Sequence, residues 1–446
     1  KFREPGYIGG PAHFRMKDPQ APLFVDVNQL RIGMYVHLDV SWMAHPFATG
    51  SFRIASADQI STIQGLGLPR VRWDPARSDA GVLAAVAPAD EDVAKPAVPD
   101  AGPDGRAAIQ RQHRAMLAAQ RASIAGCERE FHAAAREFRH ITEAAHSQPD
   151  VARERSENLV RDFLGKIDGA HDTCIRLLGE TAGDRTCTHS LNVTVVSMLL
   201  GRAMGLGDDE LRDVGLGALL HDIGKTELPD RVRWRDEHFS AAELQFYQEH
   251  VAHGVSLARK MKLSPQATLV IAQHHEQADG KGFPQRLPAE RISAAARIVA
   301  LVNRYDTLCN PLNPAKGLTP HESLSLIFAQ MKSRFDAVTL SAFIKMMGVY
   351  PPGSVVELTD GRFALVVSVN SARPLKPRVI VHDPRVPAED ALVIDLEAQP
   401  ELGVRRSLKP LQLPRAALDY LSPRQRICYF FERAIEVADA GEEARE

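Results

Sequence analysis

Histidine and aspartate recur in this sequence where apolar helical patterns end. His189 shares a helical face with Val193, Val196 and Leu200. The run VGLGALL leads directly into His221-Asp222 and is stopped by Gly224. SAAELQFYQEHVAHG opens on Ser240 and Glu243, a capping box, and its inward stripe of Leu244, Tyr247, Val251 and Gly254 is flanked by His250. IAQHHEQADGKGFP ends an apolar helix in His274-His275-Glu276 and continues as a glycine-rich turn through Gly280, Gly282 and Pro284. A buried imidazole or carboxylate is costly unless something satisfies it, and a shared metal ion does so. One histidine on an apolar face is ordinary packing. Four separate helices that deliver such residues at buried ends point to a metal centre. Mixed imidazole and carboxylate donors suit first-row transition ions better than Mg or Ca.

The elements that must hold these residues are mostly helical. From Arg106 to about Gly183 the chain is rich in Ala, Glu and Arg and is broken only at Ser147-Gln148-Pro149, which predicts two long connecting helices over 106–183. Residues 184–349 continue as helices with buried faces. On either side the pattern changes. Residues 1–79 contain a small β-rich module, with FVDVNQLRIGMYVHLDV alternating before a His45-Pro46 turn and Trp42, Phe47 and Phe52 as its core. KFREPGYIGG reads as a flexible leader and not a signal peptide. Residues 80–105, rich in Ala, Pro and acids with no apolar face, read as a disordered linker. Residues 350–446 begin with VVELTDGRFALVVSV, a hairpin signalled by Asp360-Gly361, and end in an expected terminal helix.

Composition narrows the function. The 446 residues carry 54 Lys+Arg against 56 Asp+Glu, so no positive field points to nucleic acid. No apolar run is long enough to span a bilayer. The five scattered cysteines read as reduced thiols of a cytoplasmic protein.

HDIGK at 221–225 followed by HHEQADGKGFP at 274–284 resembles the HD-GYP family, a branch of the HD phosphohydrolases, over about residues 180–350. The β-rich module resembles a small uncharacterised domain often found ahead of HD-GYP domains in bacteria. The resemblance implies a mainly α protein: an all-helical HD-GYP domain with a small N-terminal β-rich module and a C-terminal β-hairpin extension. It further implies a metal-dependent phosphodiesterase that hydrolyses cyclic di-GMP to pGpG, sometimes onward to GMP. Carried over position by position, His189, His221, Asp222, His250, His274 and His275 become metal ligands, with Asp222 as the bridging carboxylate. Lys225 falls where the family places a lysine near the scissile phosphate, and Gly280, Gly282, Phe283 and Pro284 form the substrate-side signature loop, with Phe283 for the usual Tyr.

Beyond Phe283, two departures from the family bear on the metals. Asn303 stands where the family has its last ligand, an Asp, and Asp306 matches the second acid of that element. Arg185 stands where three-metal members carry a carboxylate, which favours two ions, iron or manganese, over three. Lys316 is the one candidate to replace part of a missing Arg-rich substrate segment. The implied chemistry is in-line attack by a metal-bridging hydroxide, with Lys225 stabilising charge and Asp306 or Asp279 handling protons.

Two other readings compete with an active enzyme. A degenerate module would bind cyclic di-GMP or a partner protein without turnover, which Asn303 and Arg185 favour and the intact remaining ligands oppose. An enzyme on another cyclic dinucleotide or a nucleotide phosphate is the other. Signalling-protein partners and a homodimer through the long helices complete the expectations.

Overall fold

The structure is a computed structural model and describes residues 23–38, 51–66, 68–79, 103–167, 173–179, 185–234, 238–370, 376–399 and 402–433. It divides into two units, Lys1–Lys95 and Pro96–Glu446. In the first, strands β1 (Leu23–Asp26), β2 (Tyr35–His37), β3 (Ser51–Arg53) and β4 (Arg70–Trp73) form an antiparallel sheet in the order β1-β4-β2-β3, with helix α1 (Ala57–Gly65) capped by Ser56. Its core is Val25, Met34, Val36, Ile54, Ile63 and Val71, with Phe52 packed at the margin. The expected turn at His45-Pro46, Trp42, Phe47, the leader and linker residues 80–102 lie outside the described residues.

The second unit begins with α2 (Pro103–Ser147), so the last three residues assigned to the linker are helical. Helix α3 (Pro149–Ile167) follows at the expected break, with Pro149 where a helix tolerates a missing N–H. The helical expectation for the rest of 106–183 is overturned at Thr173–Leu177, which is strand β5. TCIRL has β-branched and apolar residues, and strands on both sides supply the pairing that decides its state.

The helical domain is α4 (Arg185–Ala203), α5 (Asp208–Leu220), α6 (Ala241–Gln248), α7 (His250–Lys260), α8 (Pro265–Gln273), α9 (Ala294–Cys309), α10 (Pro320–Gln330) and α11 (Ala337–Met347). Local chemistry sets its starts. Ser264 caps α8 ahead of Pro265, Ser293 caps α9, and Ser240/Glu243 and Thr319/Glu322 form capping boxes. Helix α4 is buried nearly all round, packed between α5, α9 and the sheet.

After α11 come β6 (Val355–Leu358), β7 (Phe363–Asn370), β8 (Arg378–Val381), β9 (Val393–Asp395), β10 (Val404–Leu408), helix α12 (Arg415–Leu421) and β11 (Tyr429–Arg433). Strands β6 and β7 form the expected hairpin, with Gly361 at φ +84°. The C-terminal region is nonetheless more than a hairpin extension. It builds a seven-stranded antiparallel sheet in the order β10-β6-β7-β5-β11, with β8 and β9 added beside β7. Among the described residues, the helix expected in this region is α12, and residues 434–446 lie outside the described residues. Strand β11 packs on the long helices: Phe430 meets Phe131 of α2 and Phe163 of α3 edge-on, each at 5.8 Å between ring centroids. Phe131, Ala135, Phe138 and Ile141 of α2 are buried within the chain.

Candidate metal centre

Each expected ligand sits at a helix end or on a buried helix face. His221 caps α5 and Asp222 follows it; His250 opens α7 directly after α6; His274 caps α8 and His275 follows. His189 lies in α4, and Asn303 and Asp306 are buried in α9. Gly224 is required by a close approach: a Cβ there would stand 2.0 Å from the His250 carbonyl oxygen, so only glycine lets the turn after Asp222 press onto α7.

The last carbonyls of a helix have no partner within it. Three histidines use them. His221 Nδ1 donates to Ala218 O (2.6 Å), His250 Nδ1 to Tyr247 O (2.6 Å) and His274 Nδ1 to Ile271 O (2.8 Å). Each bond fixes the tautomer and leaves Nε2 as a lone pair aimed inward.

These lone pairs converge on Asp222. Its Oδ1 faces His250 Nε2 at 3.6 Å and His274 Nε2 at 3.7 Å, while Oδ2 faces His221 Nε2 at 3.4 Å and His189 Nε2 at 3.6 Å. Among the described residues, two groups of potential metal donors result, Asp222/His250/His274/His275 and His189/His221/Asp222, each with its donor atoms within 4.8 Å of one another. The single carboxylate is common to both.

The donor set fits divalent metal ions. Asp222 Oδ1 and His275 Nε2 are buried without a hydrogen-bond partner, which is costly unless a cation takes their lone pairs. Burial pushes the His250 imidazole down to about 3, and it lowers His274 and His275 as well, His275 further by its neighbours His274 and His250. These rings are neutral near pH 7, the form that ligates. Burial pushes the Asp222 carboxyl upward, but Lys225 and His221 outweigh it and hold the group well below the ordinary carboxylate range. Lys225 Nζ lies 2.5 Å from Asp222 Oδ2, and this contact outweighs burial and keeps its ammonium charged.

Asp306 stands behind the centre and not at its open face. Its Oδ2 accepts from His189 Nδ1 at 2.6 Å, opposite the Nε2 that points to Asp222. Its Oδ1 accepts from Asn192 Nδ2 (2.7 Å) and Asn310 Nδ2 (2.9 Å). A carboxylate so engaged is placed to orient His189. Asp279 accepts from Lys281 N at 3.1 Å and caps its own loop. Asn303 Oδ1 lies 3.5 Å from Thr307 Oγ1 of the same helix. Lys316 is exposed on the 3-10 turn Pro314–Lys316 after α9.

The signature loop is built around the histidines. Phe283 stacks on His275 at 4.3 Å between centroids. Gly282 is enclosed so closely that a Cβ would meet Gln277 N at 2.4 Å. Glu276, whose role sequence reading missed, accepts from Gln285 N (2.7 Å) and Leu287 N (2.9 Å) and clamps the loop. Asn192 and Asn310 were also missed. Asn192 lies one helical turn beyond His189, which was the available signal.

The sequence matches the HD domain family over residues 171–338 and a domain of unknown function (DUF3391) over residues 23–156. It is 30% identical over 369 residues to the cyclic di-GMP phosphodiesterase PA4108 of Pseudomonas aeruginosa, covering 80% of this chain and 84% of that protein. It is 31% identical over 158 residues to the 3'3'-cGAMP-specific phosphodiesterase 2 of Vibrio cholerae, covering 35% of this chain and 28% of that one. Among solved structures it aligns with Bd1817, a HDG"Y"P protein from Bdellovibrio bacteriovorus, at a TM-score of 0.40 and 14% identity, covering 72% of this chain and 98% of that one. Fold and site together define an HD-domain, metal-dependent hydrolase. Within that class the chain belongs to the HD-GYP family of phosphodiesterases.

Proposed function

We propose that this protein is a cytoplasmic phosphodiesterase that hydrolyses cyclic di-GMP to linear pGpG at a centre of two transition-metal ions, iron or manganese. The observation that carries the reading is the division of Asp222, whose two oxygens face two separate sets of imidazoles. His189, His221 and Asp222 would hold one ion, and Asp222, His250, His274 and His275 the other. Such a pair supplies an acidified attacking water and neutralises charge on the phosphoryl oxygens.

The chain's residues do the rest. The helix-end carbonyls hold three imidazoles in the ligating tautomer, and Asp306 does the same for His189. Lys225 offers a charged ammonium beside Asp222 for the non-bridging phosphate oxygens. Phe283 and Gly282 pack the loop that walls the site at His275. Among the described residues, no helix is long and apolar enough to cross a membrane. The similarity to a cyclic di-GMP phosphodiesterase over most of both chains favours that substrate, whereas the cGAMP-specific relative is matched over about a third of this chain.

The test is metal analysis of the purified protein with a cyclic di-GMP turnover assay under reducing, anaerobic conditions. Two ions per chain and a pGpG product are expected, and Asp222→Ala should lose both metal and turnover. A metal-loaded protein that binds the dinucleotide without cleaving it would favour the non-enzymatic binding module instead.

A further inference from the structure

Arg185, at the first turn of α4, is read from sequence only as a residue unable to ligate metal. Its placement gives it another use. The guanidinium Cζ lies over the Trp234 ring, 4.4 Å from its centroid, a cation–π contact, and the Lys225 ammonium lies 5.2 Å from the same centroid. One indole thus organises two cations. Lys225 Nζ is in turn 2.5 Å from Asp222, the carboxylate shared by both donor groups. Arg185 Nη1 is buried and has no hydrogen-bond partner. Burial and the neighbouring Arg426 depress the guanidinium's proton affinity while Asp306 and Asp222 raise it, which places the group in the field of the centre.

A buried guanidinium donor without an acceptor is expensive unless an anion completes it. The segment from Thr307 to Thr319, after the last acid of the site, contains no arginine that could serve. We propose that Arg185, held over the Trp234 ring beside Lys225, is a substrate-binding residue that receives a phosphate group of the cyclic dinucleotide. The planar fork of arginine suits a phosphate's paired oxygens, and the indole pre-orders it and so reduces the entropy lost on binding. The role is electrostatic: Arg185 holds the anion and takes no part in proton transfer. The identity of the ligand as a dinucleotide rests on the function proposed above; the anion site itself does not.

The experiment compares the metal-loaded wild type with Arg185→Gln, Arg185→Lys and Trp234→Leu. Three quantities are measured: bound metal, calorimetric affinity for inorganic phosphate, and KM and kcat for cyclic di-GMP. Arg185→Gln should keep its metals while KM and the phosphate Kd both rise roughly 10- to 100-fold. Arg185→Lys should recover part of that loss, and Trp234→Leu should show a smaller loss of the same kind. Unchanged KM and phosphate affinity in Arg185→Gln with metals retained would overturn the proposal. Loss of metal in both Arg185 variants would overturn it too, by making the residue structural. The two readings fail separately. Wild type that binds phosphate through Arg185 but leaves cyclic di-GMP intact removes the proposed activity and keeps the anion site. Turnover unaffected in Arg185→Gln does the reverse.

Discussion

Asp306 Oδ2 stands 2.6 Å from His189 Nδ1, so a carboxylate on α9 sets the direction of an imidazole on α4. The ring's other nitrogen faces Asp222. This is the carboxylate–histidine arrangement that orients metal ligands and raises their basicity. Asp306→Ala should leave the fold intact and weaken metal binding at the His189 group about 10- to 100-fold, with the other group less affected. A metal titration with two resolved affinities reads this directly. Equal weakening at both groups, or none, would show that Asp306 does not act through His189.

The same carboxylate is tied to the C-terminal strand. Asn192 donates to Asp306 Oδ1 at 2.7 Å and to Ile427 O at 2.8 Å, and its own Oδ1 accepts from Tyr429 N at 2.8 Å. Asn192→Ala strands the buried Tyr429 N–H, a loss of roughly 1–3 kcal/mol for that group alone. Urea unfolding should show a lower midpoint at unchanged slope, together with weaker metal binding. A stability equal to wild type would mean that strand β11 does not depend on this side chain.

Asn303 offers a prediction about charge. It is buried on α9, one turn before Asp306, and carries a neutral side-chain oxygen where an acid would carry a negative one. If that oxygen meets an ion, Asn303→Asp tightens metal binding, and Asn303→Ala weakens it. Tighter binding need not raise the rate, because an added anion also repels the incoming phosphate. Metal titration of both variants decides the matter, and unchanged affinity in both removes Asn303 from the ligand set.

The buried histidines make the metal-free protein sensitive to acid. His250 is held at about 3 in the folded state, below its ordinary value of 6.5, and His274 and His275 are shifted in the same direction. The unfolded chain therefore binds protons that the folded chain refuses. Their contribution is complete above about pH 6.5 and is lost as pH falls toward 3, with a slope of up to ~1.4 kcal/mol per pH unit for each group. Chelator-stripped protein should unfold at lower urea at pH 5 than at pH 7. A midpoint that is the same or higher at pH 5 would falsify this.

The sequence by itself determined that the domain is helical and which residues its apolar stretches carry to their ends, but not the break that divides α6 from α7 at Glu249. The Ser240/Glu243 box is a local signal, and the apolar period that runs into His221-Asp222 and His274-His275 places those side chains at buried termini without reference to the rest of the chain. The Asp360-Gly361 turn was legible for the same reason. Tertiary structure decided which partner each group meets. Strand state at Thr173–Leu177 depends on β7 and β11, far along the chain, and no periodicity within five residues carries that information. Packing places Asp306 2.6 Å from a histidine 117 residues away, a partner no local pattern shows. Arg185 looked like a lost ligand until Trp234 was found beneath it. A helix period is fixed by neighbours three and four residues apart. The acceptor of a buried donor, or the second face of a carboxylate, is fixed only when distant elements pack, and those are the relationships on which this centre's chemistry depends.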